Sequence, residues 1–382
     1  MPAELLVTGC YRSGTTLLEK LLHSQPDAGV ASQPFPALYS FVKELFDAER
    51  GLERRYPLGH RFLEDRYADR DFAEFLDRRS LGVSELDRVF ELLAADQRGL
   101  WTPGILGTRA AIRPGVFLDV YRQLLNAANG LLARSAARII GSKEILVEEY
   151  VPYLLANGIY VVIIVRDPRD MIASLDFSER DNATGMDRPV LYSVRVWRKS
   201  VATALAFDGH PRFHFLRYED LVADPQAAMS RLRARLGLPE IRWEAGQSQL
   251  RDQNDQEWLG NSSFRDQAGI SCRSVGRFKD KLPSAVRSMI EASAGPEMAL
   301  LGYARPEHPE SAIVDYRDPF PAIHQKFPAG YSADPRRVRD ELVRLRMLSS
   351  PSELSDEEAR RWFVYPQAYR RLKAVASGAA GP

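Results

Sequence analysis

Short apolar runs alternate with helical repeats along this chain. Residues 5–7 form an apolar run that ends at Gly9, which predicts a buried parallel strand. From residue 15 to residue 23, leucines return at helical spacing, and this predicts a helix directly after a short loop. Further extended segments are predicted downstream, at 30–36, 138–144, 159–165 and 212–218.

The segment 159–165 is apolar and rich in β-branched residues, which predicts a central parallel strand. Pro168 suits the first turn of the helix that follows, and Asp224 with Pro225 predicts the start of another. The fold class predicted by this alternation is α/β, with a P-loop-like parallel sheet flanked by helices. The functional loops should then gather at the carboxyl edge of the strands.

Two segments depart from this alternation. Residues 37–99 are helical, charged and aromatic without a strand period, so we predict a helical insertion of the kind that shapes an acceptor pocket. A solvated helical face explains any single residue of this insertion equally well.

Capping patterns at Asp334 and Ser355 predict helices in a C-terminal extension, 306–382, beyond a main domain at 1–305. We expect the extension to pack on the core; covering the acceptor pocket or forming a homodimer contact are the alternatives.

The loop from Gly9 to Gly14 has the glycine spacing of the Walker A motif, and Thr16 holds the hydroxyl position of that motif. Thr15 stands where the lysine would be, and the cation is instead Arg12. N–H groups and the helix dipole converge at such a junction, so it predicts an anion site. Because the Walker lysine is missing, the site predicts phosphate binding without ATP hydrolysis. A turn that merely contains glycine is the plain alternative.

Composition narrows the class of protein. The chain has 382 residues, 52 basic and 51 acidic, which argues against a nucleic-acid partner. No apolar run approaches the roughly 20 residues of a transmembrane helix, and the first strand starts too early for a signal peptide. Its 2 cysteines, Cys10 and Cys272, form neither a disulfide framework nor a zinc spacing. We therefore expect a cytoplasmic enzyme, with Cys10 as a small filler residue rather than a modifiable thiol.

A family resemblance appears in the block from Val165 to Ser174, Val-Arg-Asp-Pro-Arg-Asp-Met-Ile-Ala-Ser. It resembles the segment by which sulfotransferases dependent on 3′-phosphoadenosine 5′-phosphosulfate (PAPS) hold the 3′-phosphate of the nucleotide. That pattern has an arginine at a strand end and a serine eight residues later, and Arg166 and Ser174 match it. The run from Tyr11 to Leu17, Tyr-Arg-Ser-Gly-Thr-Thr-Leu, is similar to the family's 5′-phosphosulfate loop. We therefore identify the chain as similar to this family.

Two later segments agree with the resemblance. Tyr218 is similar to the family's tyrosine near the adenine, and residues 271–279 resemble the late glycine-basic loop over the 3′-phosphate. Trp197 is similar to an aromatic residue of the corresponding family helix, although a core role explains it as well. The implied donor-binding residues are Arg12, Ser13, Gly14, Thr15, Thr16, Leu17, Arg166, Ser174, Tyr218, Ser274, Val275, Gly276 and Arg277.

The resemblance implies transfer of a sulfuryl group from PAPS to an acceptor hydroxyl, on a small metabolite, lipid or carbohydrate, without a metal. Arg12 should stabilise the leaving group electrostatically, because arginine is too weak an acid to donate a proton. Counted back from Arg166 without gaps, Lys143 occupies the position of the histidine base of hormone-type members. Other branches of the family use a glutamate in this region, so the resemblance predicts the adjacent Glu144 as general base, with Lys143 as its electrostatic partner. A lysine of lowered pKa competes for that role. His23 and His60 are outside candidates.

A second class of function stays open from the sequence. A nucleotide-binding small-molecule kinase with an aberrant loop, or an inactive protein of the same fold, would use the same strand–loop–helix junction. Dependence on magnesium would favour the kinase.

Overall fold

One parallel sheet organises the molecule. The computed structural model describes residues 2–52, 67–95, 102–132, 137–177, 187–238, 250–252, 256–258, 270–304, 306–325 and 327–376. Its strands are β1 Ala3–Thr8, β2 Ala28–Ser32, β3 Ser80–Leu81, β4 Gly115–Val116, β5 Ile139–Lys143, β6 Tyr160–Val165 and β7 Phe213–Arg217. Five of them form a parallel sheet in the order β2-β5-β1-β6-β7, and β3 pairs with β4 in a separate antiparallel pair.

The central strand β1 marks the point where the strand order reverses. Leu5 of β1 lies opposite Gly141 on β5 and opposite Tyr160 on β6. The chain therefore builds one side of the sheet with β5 and β2 and the other with β6 and β7. Ligands of open parallel sheets bind at the carboxyl edge beside such a switch point.

The helices follow the strands as the sequence pattern predicts. Their bounds are α1 Thr15–His23, α2 Pro36–Glu49, α3 Asp69–Arg78, α4 Val83–Ala95, α5 Phe117–Leu131, α6 Val151–Ala156, α7 Pro168–Asp176, α8 Val190–Phe207, α9 Tyr218–Ala223, α10 Pro225–Arg235, α11 Phe278–Lys281, α12 Ser284–Ser293, α13 Gly295–Leu300, α14 Ser311–Val314, α15 Pro335–Ser349, α16 Asp356–Phe363 and α17 Pro366–Ala376. Short 3₁₀ helices occur at Pro103–Ala111, Glu148–Tyr150, Cys272–Ser274 and Tyr331–Ala333.

Alternate residues of the strands enter two separate cores, because successive side chains of a strand point to opposite faces. Leu5 and Val7 pack in one core with Leu18 of α1. Leu6 packs in the other, which also holds Tyr39 of α2. Both faces of the sheet are covered, which confirms the predicted α/β class.

The predicted insertion at 37–99 holds the greater part of α2 and all of α3 and α4. The two-residue strand β3 also lies there, although the sequence has no strand period at that point. Residues 53–66 and 96–99 of this segment, and with them His60, lie outside the described residues.

The segment from residue 306 onward contacts α8 and α13 through α17, and its helix α15 forms ion pairs with both. Asp334 and Ser355 cap α15 and α16 as the sequence predicts, since each side chain accepts a hydrogen bond from a first-turn N–H group. In the described part of the chain, no helix is long and apolar enough to span a membrane.

Candidate functional site

The loop after β1 is shaped by close contacts that only glycine permits. A Cβ atom at Gly9 would lie 2.5 Å from the carbonyl oxygen of Ile164 on β6. Gly14 stands before α1 with φ near 103°, and a Cβ atom there would lie 2.4 Å from Cδ2 of Tyr218. The loop backbone is therefore pressed against β6 and against the ring that follows β7.

The other residues of this loop lead into α1. Ser13 is buried, and its hydroxyl donates to the carbonyl of Cys10 at 2.8 Å. Thr15, Thr16 and Leu17 form the first turn of α1. N–H groups at this position lack partners within their own helix and carry the positive end of its dipole.

Arg12 connects this loop to the end of β6. Its Nε donates to the hydroxyl of Ser174 on α7 at 3.0 Å, and its carbonyl accepts from Nη1 of Arg166 at 3.3 Å. Burial, together with the charges of Arg166 and Arg277, lowers the pKa of Arg12 to about 10. The structure thus joins through Arg12 two clusters that the sequence treats as separate. Three guanidinium groups converge at one edge, which is an arrangement that a bound anion would stabilise.

Arg166 is held from several sides and is only 6% exposed. Its carbonyl accepts a hydrogen bond from the indole Nε1 of Trp197 at 2.7 Å. Its Nη2 donates to the carbonyl of Ser274, and its guanidinium lies 4.7 Å from the ring centroid of Tyr218. Its Nε is buried without a hydrogen-bond partner in the described part of the chain. That atom is a donor suited to an anionic ligand.

The late loop at 271–279 reaches the same place through Asp170 and Tyr218. The carboxylate of Asp170 accepts from the N–H groups of Gly276 at 2.6 Å and Phe278 at 2.9 Å. The hydroxyl groups of Tyr218 and Ser274 lie 2.6 Å apart. These contacts fix the loop that carries Arg277 beside Arg166.

Val275, also a predicted donor-binding residue, is 42% exposed on this loop. The sequence prediction missed Asp170. Its position in the first turn of α7 is a weak signal, because carboxylates are common at helix N-termini for electrostatic reasons alone.

The two residues predicted at the end of β5 occupy different surroundings. The Nζ of Lys143 donates to Oε1 of Gln33 at 3.0 Å, and Glu19 of α1 lies near it. Glu144 follows directly and accepts from the N–H of Phe35 at 3.1 Å. Because neighbouring residues of a strand point to opposite faces, Lys143 lies on the α1 side and Glu144 on the α2 side. The two are therefore not one side-by-side pair.

Glu144 is fully buried, with an exposure of 0%, and Oε2 of its carboxylate has no hydrogen-bond partner within the described ranges. The same holds for the hydroxyls of Tyr39, Tyr121 and Ser142, which surround it. Burial raises the pKa of Glu144, although the N–H of Phe35 and the charge of Lys143 act in the opposite direction. Burial lowers the pKa of Lys143. A carboxylate of raised pKa with one uncommitted oxygen is suited to accept a proton.

Three further residues that the sequence analysis names are His23, Cys10 and Cys272. His23 is buried at the carboxyl end of α1, the far end of that helix from the loop. Cys10 is buried, and burial together with the charge of Glu148 raises its thiol pKa to about 12. Cys272 is exposed. Among the described residues, no group of three or more His, Cys, Asp or Glu side chains is arranged to hold a metal ion.

Comparison with known proteins gives the following similarities. Residues 3–244 match a family model described as "Sulfotransferase family". The chain is similar to the sulfotransferase domain from the Synechococcus PCC 7002 olefin synthase, with 18% identity over 80% of this chain and 96% of that one and a TM-score of 0.48.

Two other solved structures are similar. The sulfotransferase domain from the curacin biosynthetic pathway has 18% identity over 80% of this chain and 99% of that one, with a TM-score of 0.39. A sulfotransferase from Mycobacterium avium has 18% identity over 62% of this chain and 64% of that one, with a TM-score of 0.31. No curated protein matches the chain.

Proposed function

The chain belongs to the sulfotransferase family, and from that membership we propose that it transfers a sulfuryl group from PAPS to an acceptor hydroxyl and releases adenosine 3′,5′-bisphosphate. The observation that carries the proposal is that the guanidinium of Arg166 donates both to the carbonyl of Arg12 and to the carbonyl of Ser274, on the late loop that also carries Arg277. A nucleotide with phosphate at both the 3′ and the 5′ position presents two anionic groups. One helix N-terminus with one arginine would not neutralise both.

The donor is assigned to two connected clusters. The 5′-phosphosulfate is assigned to the loop after β1 and the first turn of α1, with Arg12, Ser13, Gly14, Thr15, Thr16 and Leu17. The 3′-phosphate is assigned to the end of β6, to α7 and to the late loop, with Arg166, Ser174, Ser274, Val275, Gly276 and Arg277. Tyr218, between the two clusters, is assigned to the adenine. The unpartnered Nε of Arg166 supports this assignment, because it is a buried donor at the proposed phosphate position.

Transfer is proposed to be in line. The acceptor oxygen forms a bond to sulfur while the bond from sulfur to the bridging oxygen of the phosphate breaks. Negative charge develops on that bridging oxygen, and Arg12 stabilises it without giving up a proton. This reaction requires orientation and charge neutralisation, so we propose that it needs no metal.

Glu144 is proposed to accept the proton of the acceptor hydroxyl at its Oε2 atom. That atom is the one without a hydrogen-bond partner in the described part of the structure. Lys143 acts through its charge from the opposite side of the sheet, since it favours the ionised form of Glu144. The acceptor is proposed to approach from the helical segment at 37–99, which supplies Tyr39 beside Glu144.

The direct experiment is calorimetric titration of the purified protein with adenosine 3′,5′-bisphosphate, ATP and ADP in the presence of EDTA. Tight binding of the bisphosphate alone is expected. Preference for ATP, or a requirement for magnesium, would contradict the proposal and favour the kinase.

A further inference from the structure

The helix α8 lies between the proposed nucleotide site and the C-terminal segment, which is defined here as residues 306–376. On the side of the site, Nε1 of Trp197 donates to the carbonyl of Arg166 at 2.7 Å. On the other side, Nε of Arg195 and Nη2 of Arg198 contact the two carboxylate oxygens of Glu341 at 2.8 and 2.6 Å. One rigid helix therefore touches the end of β6 and a carboxylate of α15.

The C-terminal segment also supplies the cap of α8. The helix begins after Pro189, whose side chain makes no cap hydrogen bond. Instead, Asp318 accepts from the N–H of Val190 at 2.9 Å, and the hydroxyl of Ser332 accepts from the N–H of Leu191 at 3.3 Å. Two first-turn N–H groups, which have no partner within the helix, are thus satisfied from a distant part of the chain.

The ion pairs that join α8 to α15 are buried. Glu341 is 1% exposed, and Arg195 and Arg198 are buried as well. Burial acts to raise the pKa of Glu341, but Arg198, Arg195 and Arg344 outweigh it and lower that pKa to about 2. The carboxylate is therefore charged at every working pH. Removing one member of a buried ion pair strongly destabilises the folded state, whereas an exposed ion pair contributes little to stability.

We propose that the C-terminal segment, through Glu341, positions α8 so that Trp197 fixes the backbone of Arg166 at the proposed 3′-phosphate site. Glu341 is then a positioning residue for nucleotide recognition although it belongs to the segment beyond the family match at 3–244. The inference rests on the proposed function, because it assumes that Arg166 contacts the 3′-phosphate. It predicts a selective effect: the 3′-phosphate contact weakens while the 5′ loop, built on β1 and α1, keeps its shape.

The test compares two nucleotides that differ only by the 3′-phosphate. Calorimetry measures the dissociation constants of adenosine 3′,5′-bisphosphate and adenosine 5′-monophosphate for the wild type, Glu341→Gln, Glu341→Asp and Trp197→Phe. For Glu341→Gln and Trp197→Phe, we expect the bisphosphate to bind about tenfold more weakly, with the monophosphate unchanged, which is the scale of one lost hydrogen bond. Glu341→Asp keeps the charge on a shorter side chain and should fall between the wild type and Glu341→Gln.

Glu310→Gln is the matched control, because Glu310 forms an exposed ion pair with Arg346 of the same helix α15. It should leave both dissociation constants unchanged. Equal weakening of both nucleotides by the Glu341 variants would indicate general destabilisation and overturn the inference. The inference would also be overturned if Trp197→Phe left the ratio of the two dissociation constants unchanged. If Glu341→Gln does not fold, Glu341→Asp and Trp197→Phe together still decide. Glu341→Asp keeps the charge and shortens the link to α8, and Trp197→Phe keeps an aromatic ring in the core and removes the indole N–H. If the wild type itself prefers the monophosphate, the proposed function fails and this inference fails with it. If the wild type prefers the bisphosphate and the variants keep that preference, this inference alone is overturned.

Discussion

The ends of β6 and β5 lie at the same edge of the sheet, but their polar groups are satisfied to very different degrees. At the end of β6, the carbonyl and two guanidinium nitrogens of Arg166 have partners, its Nε lacks one among the described residues, and Asp170 holds the late loop with two hydrogen bonds. At the end of β5, Glu144 has one carboxylate oxygen bound to Phe35 and the other without a partner among the described residues. The neighbouring hydroxyls of Tyr39 and Tyr121 are in the same condition.

The difference separates a site that is built in advance from one that a ligand or water completes. A network with nearly all its hydrogen bonds made holds its geometry and costs little to reorganise when an anion binds. Buried polar atoms without partners carry a desolvation cost that a hydroxyl group would relieve. This contrast favours nucleotide recognition at β6 and proton transfer at β5.

The largest expected effect tests the β5 side. Glu144→Gln keeps the volume of the side chain and removes the base, so kcat should fall by about 100- to 10,000-fold. The dissociation constant of adenosine 3′,5′-bisphosphate should stay within about twofold of the wild type, because no donor contact changes. Steady-state kinetics with calorimetry measures both quantities. A comparable loss of nucleotide affinity would remove the functional division between the two ends.

The β6 side should respond in the opposite way. Arg166→Ala should weaken bisphosphate binding by about 100-fold, since a charge-assisted and forked contact is lost. Arg166→Lys keeps the charge without the fork and should lose about tenfold. Arg212→Ala is the control, because Arg212 is an exposed arginine directly before β7, at the opposite edge of the sheet. Titration calorimetry would contradict the assignment if Arg166→Ala and Arg212→Ala had the same dissociation constant for adenosine 3′,5′-bisphosphate.

A smaller effect concerns stability and pH. Burial raises the pKa of Glu144 above its ordinary value of 4.5. Between pH 4.5 and the raised pKa of Glu144, the folded state binds more protons than the unfolded state. The free energy of unfolding therefore falls as pH rises through this range. Glu144→Gln cannot ionise; its free energy of unfolding, minus that of the wild type, should therefore increase from about pH 5 upward. Urea unfolding at several pH values measures this difference.

Glu310→Gln provides a control of opposite sign for that experiment. Its hydrogen bond with Arg346 lowers the pKa of Glu310, so its contribution to wild-type stability is lost as pH falls. A difference between Glu144→Gln and wild type that stays flat or declines with pH would show that Glu144 is not the buried, proton-retaining carboxyl described above.

The smallest expected effect compares two tyrosines that contact each other. The hydroxyl of Tyr150 donates to the carbonyl of Tyr39 at 2.6 Å, and their ring centroids are 4.9 Å apart. Tyr150→Phe should cost about 1 kcal/mol of unfolding free energy, because it leaves a buried carbonyl without its donor. Tyr39→Phe removes a hydroxyl that has no well-formed hydrogen bond among the described residues and should change stability by less than about 0.5 kcal/mol. Chemical denaturation would contradict the contrast if the two variants lost equal stability.

Much of the fold could be predicted from the sequence because its strands are short apolar runs that end at glycine or polar residues. Strands β1, β5, β6 and β7 lie within one or two residues of the predicted segments, and α1 has the predicted bounds. The helix α5 was not predicted, although Phe117, Val120, Tyr121, Leu124, Leu125 and Ala128 repeat at helical spacing and are all buried. The sequence therefore contained the helical period that predicts α5. It contained no comparable pattern for the two-residue pairing of β3 with β4, because that pairing depends on contacts between segments distant in sequence.

The candidate site could be predicted only in part, for two reasons. The prediction of Glu144 as base with Lys143 as its electrostatic partner names two residues but not their surroundings. The period of a strand places them on opposite faces, and the polar groups beside each come from other segments, at Phe35 and Gln33. The roles of Asp170 and Glu341 depend on partners 106 and 146 residues away, at Gly276 and Arg195. Sequence patterns indicate local periodicity and helix caps, but they do not show which distant segments of the chain contact each other.

Trp197 gives the molecule an internal optical reporter. Its indole is fully buried and donates to the backbone of Arg166, whereas Trp258 and Trp362, the other tryptophans within the described ranges, are only partly buried. Indole emission depends on the polarity and hydrogen bonding of its surroundings. The difference between the fluorescence of the wild type and that of Trp197→Phe therefore isolates the emission of one ring beside the strand end. Stopped-flow mixing with nucleotide would follow that emission in time, with no label attached.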